Sequence, residues 1–279
     1  MTPAGDEERA QEFEELLEYL WRSRGFDFSA YKRSSLGRRV QKRMQASGIE
    51  NYLGYSDYLE AHPQEFTLLF NTILINVTSF FRDPQTWEFM ASDVIPRILA
   101  DRNGDGAIRV WSAGCSSGEE PYSLSIALHN AGLALAGITW EIDACDLNAE
   151  RVARAQEALY AEGSLRACDP EARRKYFVAE AGGFRLREKY RAGVRVFHTN
   201  LMAPNGVLGW SVYDAILCRN LLIYLSEDAF TSAISLFARS LLPGGYLFLG
   251  HSESLLDRKT AFAPAMVGGA VVYRKLEAA

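Results

Sequence analysis

The stretch RVWSAGCSSGEEPYS, from Arg109 to Ser123, decides the fold. An apolar run enters a turn built around Gly114 and Gly118, and a helix-forming segment follows. Glycine lets the backbone pass close to a ligand where a side chain would block it. In open α/β sheets, ligands bind outside the carboxyl ends of the strands, so this turn is a candidate binding loop. It is not G-x-G-x-x-G, and the carboxylates Glu119 and Glu120 follow at once. Negative charge is unfavourable beside a phosphate and favourable beside a ligand that carries an ammonium and a sulfonium. The loop therefore points to S-adenosylmethionine rather than to a nucleotide diphosphate. A second reading stays open, in which the two acids only stabilise a helix N-terminus. A nicotinamide-dependent dehydrogenase on a Rossmann sheet is the enzyme alternative.

Downstream, short apolar runs alternate with helical stretches. The runs are IRVWSAG (108–114), ITWEIDAC (138–145), VRVFHT (194–199), YDAILC (213–218), GYLFLG (245–250) and AVVYR (270–274). Helical spacing falls at 119–135, 148–160 and 226–241. The alternation predicts a mostly parallel sheet with helices on both faces. Residues 162–193 interrupt it, with a short helical piece and then FRLREKYRAGV, which reads as a hairpin and a small insertion.

Upstream, no strand signal is found before about residue 75. Phe13, Leu16, Leu17 and Leu20 have helical spacing, and Leu36, Val40 and Met44 step by four until Gly48. Residues 51–61 and 64–74 give two more helices, separated by Pro63. Pro84 can open a further helix that carries Trp87, Met90, Val94 and Ile98. The predicted organisation is a helical domain over 1–75, a linker over 76–84, and an α/β domain over 85–279.

Two further strand ends carry polar residues. Asp146 closes the second strand, where an acid commonly takes the ribose hydroxyls of an adenosine ligand. It could instead cap the next helix, but Asn148 can serve there. Arg219 and Asn220 close the strand YDAILC, and Tyr224 follows four residues later. Spacing alone makes Tyr224 a core residue beside Leu221, Leu222 and Leu225. In LLPGGYLFLGHSESL (241–255), Pro-Gly-Gly is structural, and His251 and Ser252 receive no catalytic role.

A basic helix stands apart. Lys32, Arg33, Arg38, Arg39, Lys42 and Arg43 fall in a stretch with no acid from Phe28 to Ile49. Arg38, Arg39, Lys42 and Arg43 are read as lying opposite the apolar stripe. Such a face is either solvated surface or a docking site for an acidic partner or nucleic acid.

The chain has 279 residues, 48% apolar and 23% charged, with a net charge of −5. That is ordinary globular composition, and it argues against a surface given over to nucleic acid. No apolar run reaches the roughly 18–20 residues that span a bilayer, and the acidic start is unlike a secretory signal, so a cytoplasmic location is expected. Cys115, Cys145, Cys168 and Cys218 form no C-x-x-C pair, and no metal site is expected.

Five segments in series, NVTSFFRDP, RVWSAGCSSGEEPYS, ACDLN, CRNLLIY and GHSES, resemble the chemotaxis receptor methyltransferases, the CheR family. The resemblance covers nearly the whole chain. It implies a small all-helical N-terminal domain joined to a Rossmann-like, S-adenosylmethionine-dependent methyltransferase domain. That domain would hold a mostly parallel seven-stranded sheet and an inserted β-subdomain. It implies methyl transfer to glutamate side chains in the cytoplasmic region of membrane chemoreceptors, giving glutamyl methyl esters and S-adenosylhomocysteine. By position, cofactor contacts would fall on Asn76, Thr78, Arg82, Gly114, Glu120, Asp146, Asn200, Leu201, Arg219 and Asn220. Arg82 and Tyr224 would flank the methyl group. Arg38, Arg39, Lys42 and Arg43 would meet the receptor. The stretch from Tyr176 to Asn200 looks shorter than in members that bind a receptor C-terminal peptide, so recognition without such a tail is expected. The enzyme is expected to be a monomer. A methyltransferase-like sensing or scaffolding module is the non-enzyme alternative.

Overall fold

The computed structural model describes residues 3–24, 27–73, 78–101, 106–133, 136–203, 212–267 and 270–276. Packing divides the chain into two units, Met1–Asn76 with Tyr224–Phe230, and Val77–Ile223 with Thr231–Ala279. No described helix is long and apolar enough to cross a membrane.

In the first unit, α1 (Pro3–Arg24) buries the stripe of Phe13, Leu16, Leu17 and Leu20. α2 (Arg33–Ser47) stops at Gly48, whose φ of 71° is the left-handed turn that closes a helix on Met44 and Gln45. α3 (Tyr52–Ala61) is capped by Asn51, whose side chain accepts from the Gly54 amide at 2.7 Å. α4 (Pro63–Ile73) begins at Pro63. The proline thus opens a helix, where its missing N–H is harmless, rather than standing between two.

In the second unit, α5 (Pro84–Phe89) has Pro84 in its first turn and runs through a π-turn at Met90–Val94 into α6 (Ile95–Asp101). Then come β1 (Ile108–Ala113), α7 (Glu119–Asn130), β2 (Trp140–Asp146), α8 (Ala149–Glu157) and β3 (Leu159–Tyr160). They are followed by α9 (Pro170–Tyr176), β4 (Phe177–Glu180), β5 (Gly183–Leu186), α10 (Glu188–Arg191) and β6 (Val194–His198). β7 (Tyr213–Cys218), α11 (Glu227–Ser240), β8 (Leu241–Leu249), β9 (Phe262–Val267) and β10 (Ala270–Lys275) complete the chain.

The seven-stranded sheet has the order β6-β2-β1-β7-β8-β10-β9. β6, β2, β1, β7 and β8 pair in parallel, and β10 is antiparallel to both its neighbours. The chain leaves β1 towards β2 and β6, then returns to place β7 on the other side of β1. That reversal is the switch point at which the strand ends open a crevice. Every residue of β7 is buried, as a central parallel strand with both faces covered requires. On one face Val110 packs with Trp87, Met90, Val94, Leu124 and Phe248. On the other, Trp111 meets the rings of Tyr213 and Phe237 at 5.7 and 5.5 Å.

β3, β5 and β4 form a separate antiparallel sheet. Its hairpin is Phe177–Glu180 with Gly183–Leu186, so the stretch FRLREKYRAGV, expected as a hairpin, supplies only part of its second strand and then turns as α10 at Glu188–Arg191. The sheet packs Tyr160, Phe177 and Leu186 with Phe80, Leu165, Tyr176 and Tyr190.

Candidate functional site

Four of the candidate segments meet at the carboxyl ends of β1, β2, β6 and β7. The loop after β1 turns at Gly114, φ 84°, and its amide donates to the Cys145 carbonyl at 2.8 Å. A Cβ on Gly114 would lie 3.0 Å from Leu221. The next residues tie this loop to β2. The Ser116 amide donates to Asp146 at 2.8 Å, and the same carboxylate accepts from the Asn148 amide at 2.8 Å. Asn148 itself caps α8, accepting from Glu150 and Arg151, so the capping duty does fall to Asn148. Asp146 is only partly buried and keeps lone pairs for a ligand. Its register partner is His198 at the end of β6. Asn200 and buried Leu201 follow, with Asn200 turned back to accept from the Met202 amide.

The two acids that open α7 do different things. Glu119 is buried and turned to the protein's own hydroxyls, accepting from Ser117 and Ser164 at 2.8 and 2.9 Å. Glu120 accepts from Ser112 at 2.8 Å and lies 3.4 Å from the Arg219 guanidinium. Burial pushes the carboxyls of Glu119, Glu120 and Asp146 above the usual carboxylate range, against the hydrogen bonds that favour their charged forms. Burial also pushes Cys115 and Cys218 well up, and Cys145 to about 12, so none of these thiols is a nucleophile here.

Arg219 is buried and spends its charge inside the protein. It pairs with Asp83, donates to the Arg82 carbonyl at 3.2 Å, and lies 5.8 Å from the Trp87 ring. These contacts hold the segment that carries Arg82. Other bonds fix that segment too: Phe80 donates to the Ser164 carbonyl, and Phe81 to the Ser123 hydroxyl, both at 2.9 Å. Arg82 and Thr78 are half-buried on it. Asn76 lies outside the described residues. Phe81, Asp83, Ser116 and Asn220 all have positive φ. Such strain in non-glycine residues gathers where a site demands an exact backbone path.

Glu253, in GHSES, was missed by reading the sequence for chemistry. It is buried, and its carboxylate accepts from the amides of Asn220, Gly250 and Ile223 at 2.9, 2.6 and 3.3 Å. It locks the β7 end to the β8 end. A carboxylate closing a Gly-x-x-Glu turn, four residues after the strand, was the available signal.

Tyr224 ends a 3-10 turn at Leu222–Tyr224. Its packing differs from the leucine core that spacing alone gives. Its ring lies under the Arg39 guanidinium at 4.5 Å.

The expected four-residue docking face needs correction. Arg38 and Lys42 are exposed. Arg39 is buried and donates to the Ile73 carbonyl of α4. Arg43 makes a two-pronged pair with buried Glu65 at 2.8 and 2.9 Å, and Tyr55 donates to the same carboxylate at 2.7 Å. At about 100° per residue, Arg43 lies beside Leu36 and Val40, not opposite them.

The site suits S-adenosylmethionine on its own chemistry. The acids Glu120 and Asp146 at the strand ends would match a cationic ligand with hydroxyls, and the buried Ser116 hydroxyl has no partner among the described residues. No group of three His, Cys, Asp or Glu that could hold a metal occurs among the described residues.

Comparison with known proteins bears on the same residues. The family described as CheR methyltransferase, SAM binding domain, matches residues 76–268, and the CheR methyltransferase all-alpha domain matches 11–74. A relative from Vibrio cholerae, "Chemotaxis protein methyltransferase 2", is 34% identical over 85% of this chain and 83% of its own. One from Salmonella typhimurium, "Chemotaxis protein methyltransferase", is 30% identical over 94% of this chain and 88% of its own. One from Pseudomonas aeruginosa, "Probable biofilm formation methyltransferase WspC", is 33% identical over 93% of this chain and 61% of its own.

Proposed function

The chain belongs to the CheR methyltransferase family, and from that premise we propose that it methylates specific glutamates in the cytoplasmic region of chemoreceptors. It is an S-adenosylmethionine-dependent methyltransferase. The observation that carries the reading is the set of acids and glycine turns at the switch point, where Asp146, Glu120 and Gly114 come together at adjacent strand ends. The sensing or scaffolding alternative is not favoured, since the family is one of methyltransferases.

S-adenosylmethionine, when bound, supplies an electrophilic methyl group. Asp146 and the Ser116 hydroxyl would take its ribose side, and Glu120 its positive charge. A substrate glutamate is already ionised at neutral pH, with an unperturbed pKa of about 4.3, and needs no general base. The protein must therefore position the groups and exclude water. Arg82 orients the incoming carboxylate, Tyr224 fixes the methyl donor, and the exposed pair Arg38 and Lys42 meets the acidic receptor surface. Asn76 and Thr78 keep the cofactor role that the motif gives them. Recognition is independent of a receptor C-terminal peptide, and the enzyme acts as a monomer.

The test is mass spectrometry of receptor cytoplasmic fragments after incubation with enzyme and S-adenosylmethionine. A methyl increment on defined glutamates, absent when those glutamates are replaced by alanine, is expected. Methylation of another residue type would overturn the substrate assignment.

A further inference from the structure

The structure assigns Arg39 a part in catalysis that is distinct from receptor docking: we propose that it is a positioning residue for Tyr224. The inference rests on the role given to Tyr224 above and extends it to a group in α2.

Arg39 is buried, and among the described residues no carboxylate pairs with it. A buried guanidinium is unfavourable unless its charge and donors are engaged. Two groups engage it. One is the Ile73 carbonyl at the end of α4, which fixes the guanidinium from one side. The other is the Tyr224 ring, 4.5 Å from the guanidinium carbon, within the range for a cation–π contact. Arg39 therefore spans from the α4 end to the Tyr224 ring.

The backbone around Tyr224 is pinned to the same unit. The Lys32 amide donates to the Tyr224 carbonyl at 2.9 Å, and Ser226 donates to the Ala30 carbonyl at 2.8 Å. Tyr31 and Leu225 form an isolated antiparallel bridge. Backbone bonds on both sides fix where residue 224 sits but leave the ring free to turn about its side-chain torsions. The guanidinium over the ring face supplies the missing restraint.

Residues on α2 thus divide by duty. Arg38 and Lys42 are exposed and available to a receptor, whereas Arg39, between them in sequence, faces inward to Tyr224. A loss of activity on changing Arg39 should be a loss of turnover, not of receptor affinity.

The experiment compares Arg39→Met and Arg39→Lys with the wild-type enzyme, using receptor fragments and S-adenosylmethionine. Tyr224 is also replaced by 3-fluorotyrosine to report on the ring. Arg39→Met is expected to lower kcat by about tenfold, equivalent to ~1.4 kcal/mol, with receptor KM and cofactor Kd held. Arg39→Lys, which keeps a cation over the ring, should recover part of that loss. The fluorine signal should shift in Arg39→Met. In combination with Tyr224→Phe, the effect of Arg39→Met should be less than additive. A raised KM with wild-type kcat, or an unmoved fluorine signal in Arg39→Met, overturns the proposal. If Tyr224→Phe itself turns over at the wild-type rate, the role of Tyr224 fails, and that is a separate result from an unmoved ring signal.

Discussion

Asp146 shows how one side chain can do two jobs. Its carboxylate holds two backbone amides, so the loop after β1 and the start of α8 keep their places before any ligand arrives. Burial raises its pKa and that of Glu120. A cationic ligand favours the ionised form of both, so binding must release protons across the window between the ordinary carboxylate range and the raised values. Cofactor affinity should therefore rise with pH through that window and level off above it. Calorimetry in buffers of differing ionisation enthalpy would detect the released protons, and affinity flat across the window would contradict the assignment. Asp146→Asn should weaken cofactor binding by about tenfold, or ~1.4 kcal/mol, measured in the same titration. That Asn148 rather than Asp146 caps α8 was legible in the sequence, because Asn148 stands directly before the helix and Asp146 two residues further back. Glu119 was legible only as half of a pair: nothing in adjacent letters tells which carboxylate turns inward to Ser117 and Ser164.

Elements join through buried carboxylates. Glu253 binds three amides that span the ends of β7 and β8, and its loss would strand all three. Glu253→Ala should destabilise the protein by about 3 kcal/mol, read from urea unfolding, with Glu253→Gln falling between. An unchanged midpoint in Glu253→Ala would show the lock to be unimportant. Most elements followed from periodicity, since parallel strands with both faces covered read as continuous apolar runs. β9 did not. Pro264 interrupts its run, and such a proline is tolerated only where one side of the strand lacks a partner. β9 is the edge of the sheet, which the topology shows and the local sequence does not. The basic helix misled for a related reason. A stripe of three apolar residues understates the buried face, because α4 packs along the flank and takes Arg39 and Arg43 with it.

At the scale of the whole molecule, the two units carry carboxylates that titrate in opposite senses. For Glu65, burial acts to raise the pKa, but the bonds from Arg43 and Tyr55 prevail and hold it below the ordinary range. A depressed folded pKa gives stability that is present above the unfolded value and lost as pH falls through the folded one. Glu119, Glu120 and Asp146 have raised folded values, so their contribution falls as pH rises from the ordinary range through the raised ones. Glu65→Gln should therefore flatten the acid limb of the stability curve below the ordinary carboxylate range and leave the limb above it unchanged. Urea midpoints measured against pH would show this, and an acid limb unaffected by the substitution would sink the account of the Arg43–Glu65 pair. The helical unit and the α/β unit could both be read from the switch in hydrophobic period near residue 75. How Tyr224–Phe230 joins the helical unit could not, because that depends on pairing with Ala30–Lys32 far away in the chain.

The most direct test of the central claim is methyl transfer itself. Tritiated S-adenosylmethionine is incubated with the enzyme and chemoreceptor-bearing membranes, and the receptor is then treated with mild base. The account predicts receptor-bound label released as methanol, as an ester of a glutamate side chain requires, and lost when Arg82 and Tyr224 are replaced. Cofactor binding without base-labile label on any receptor would contradict it.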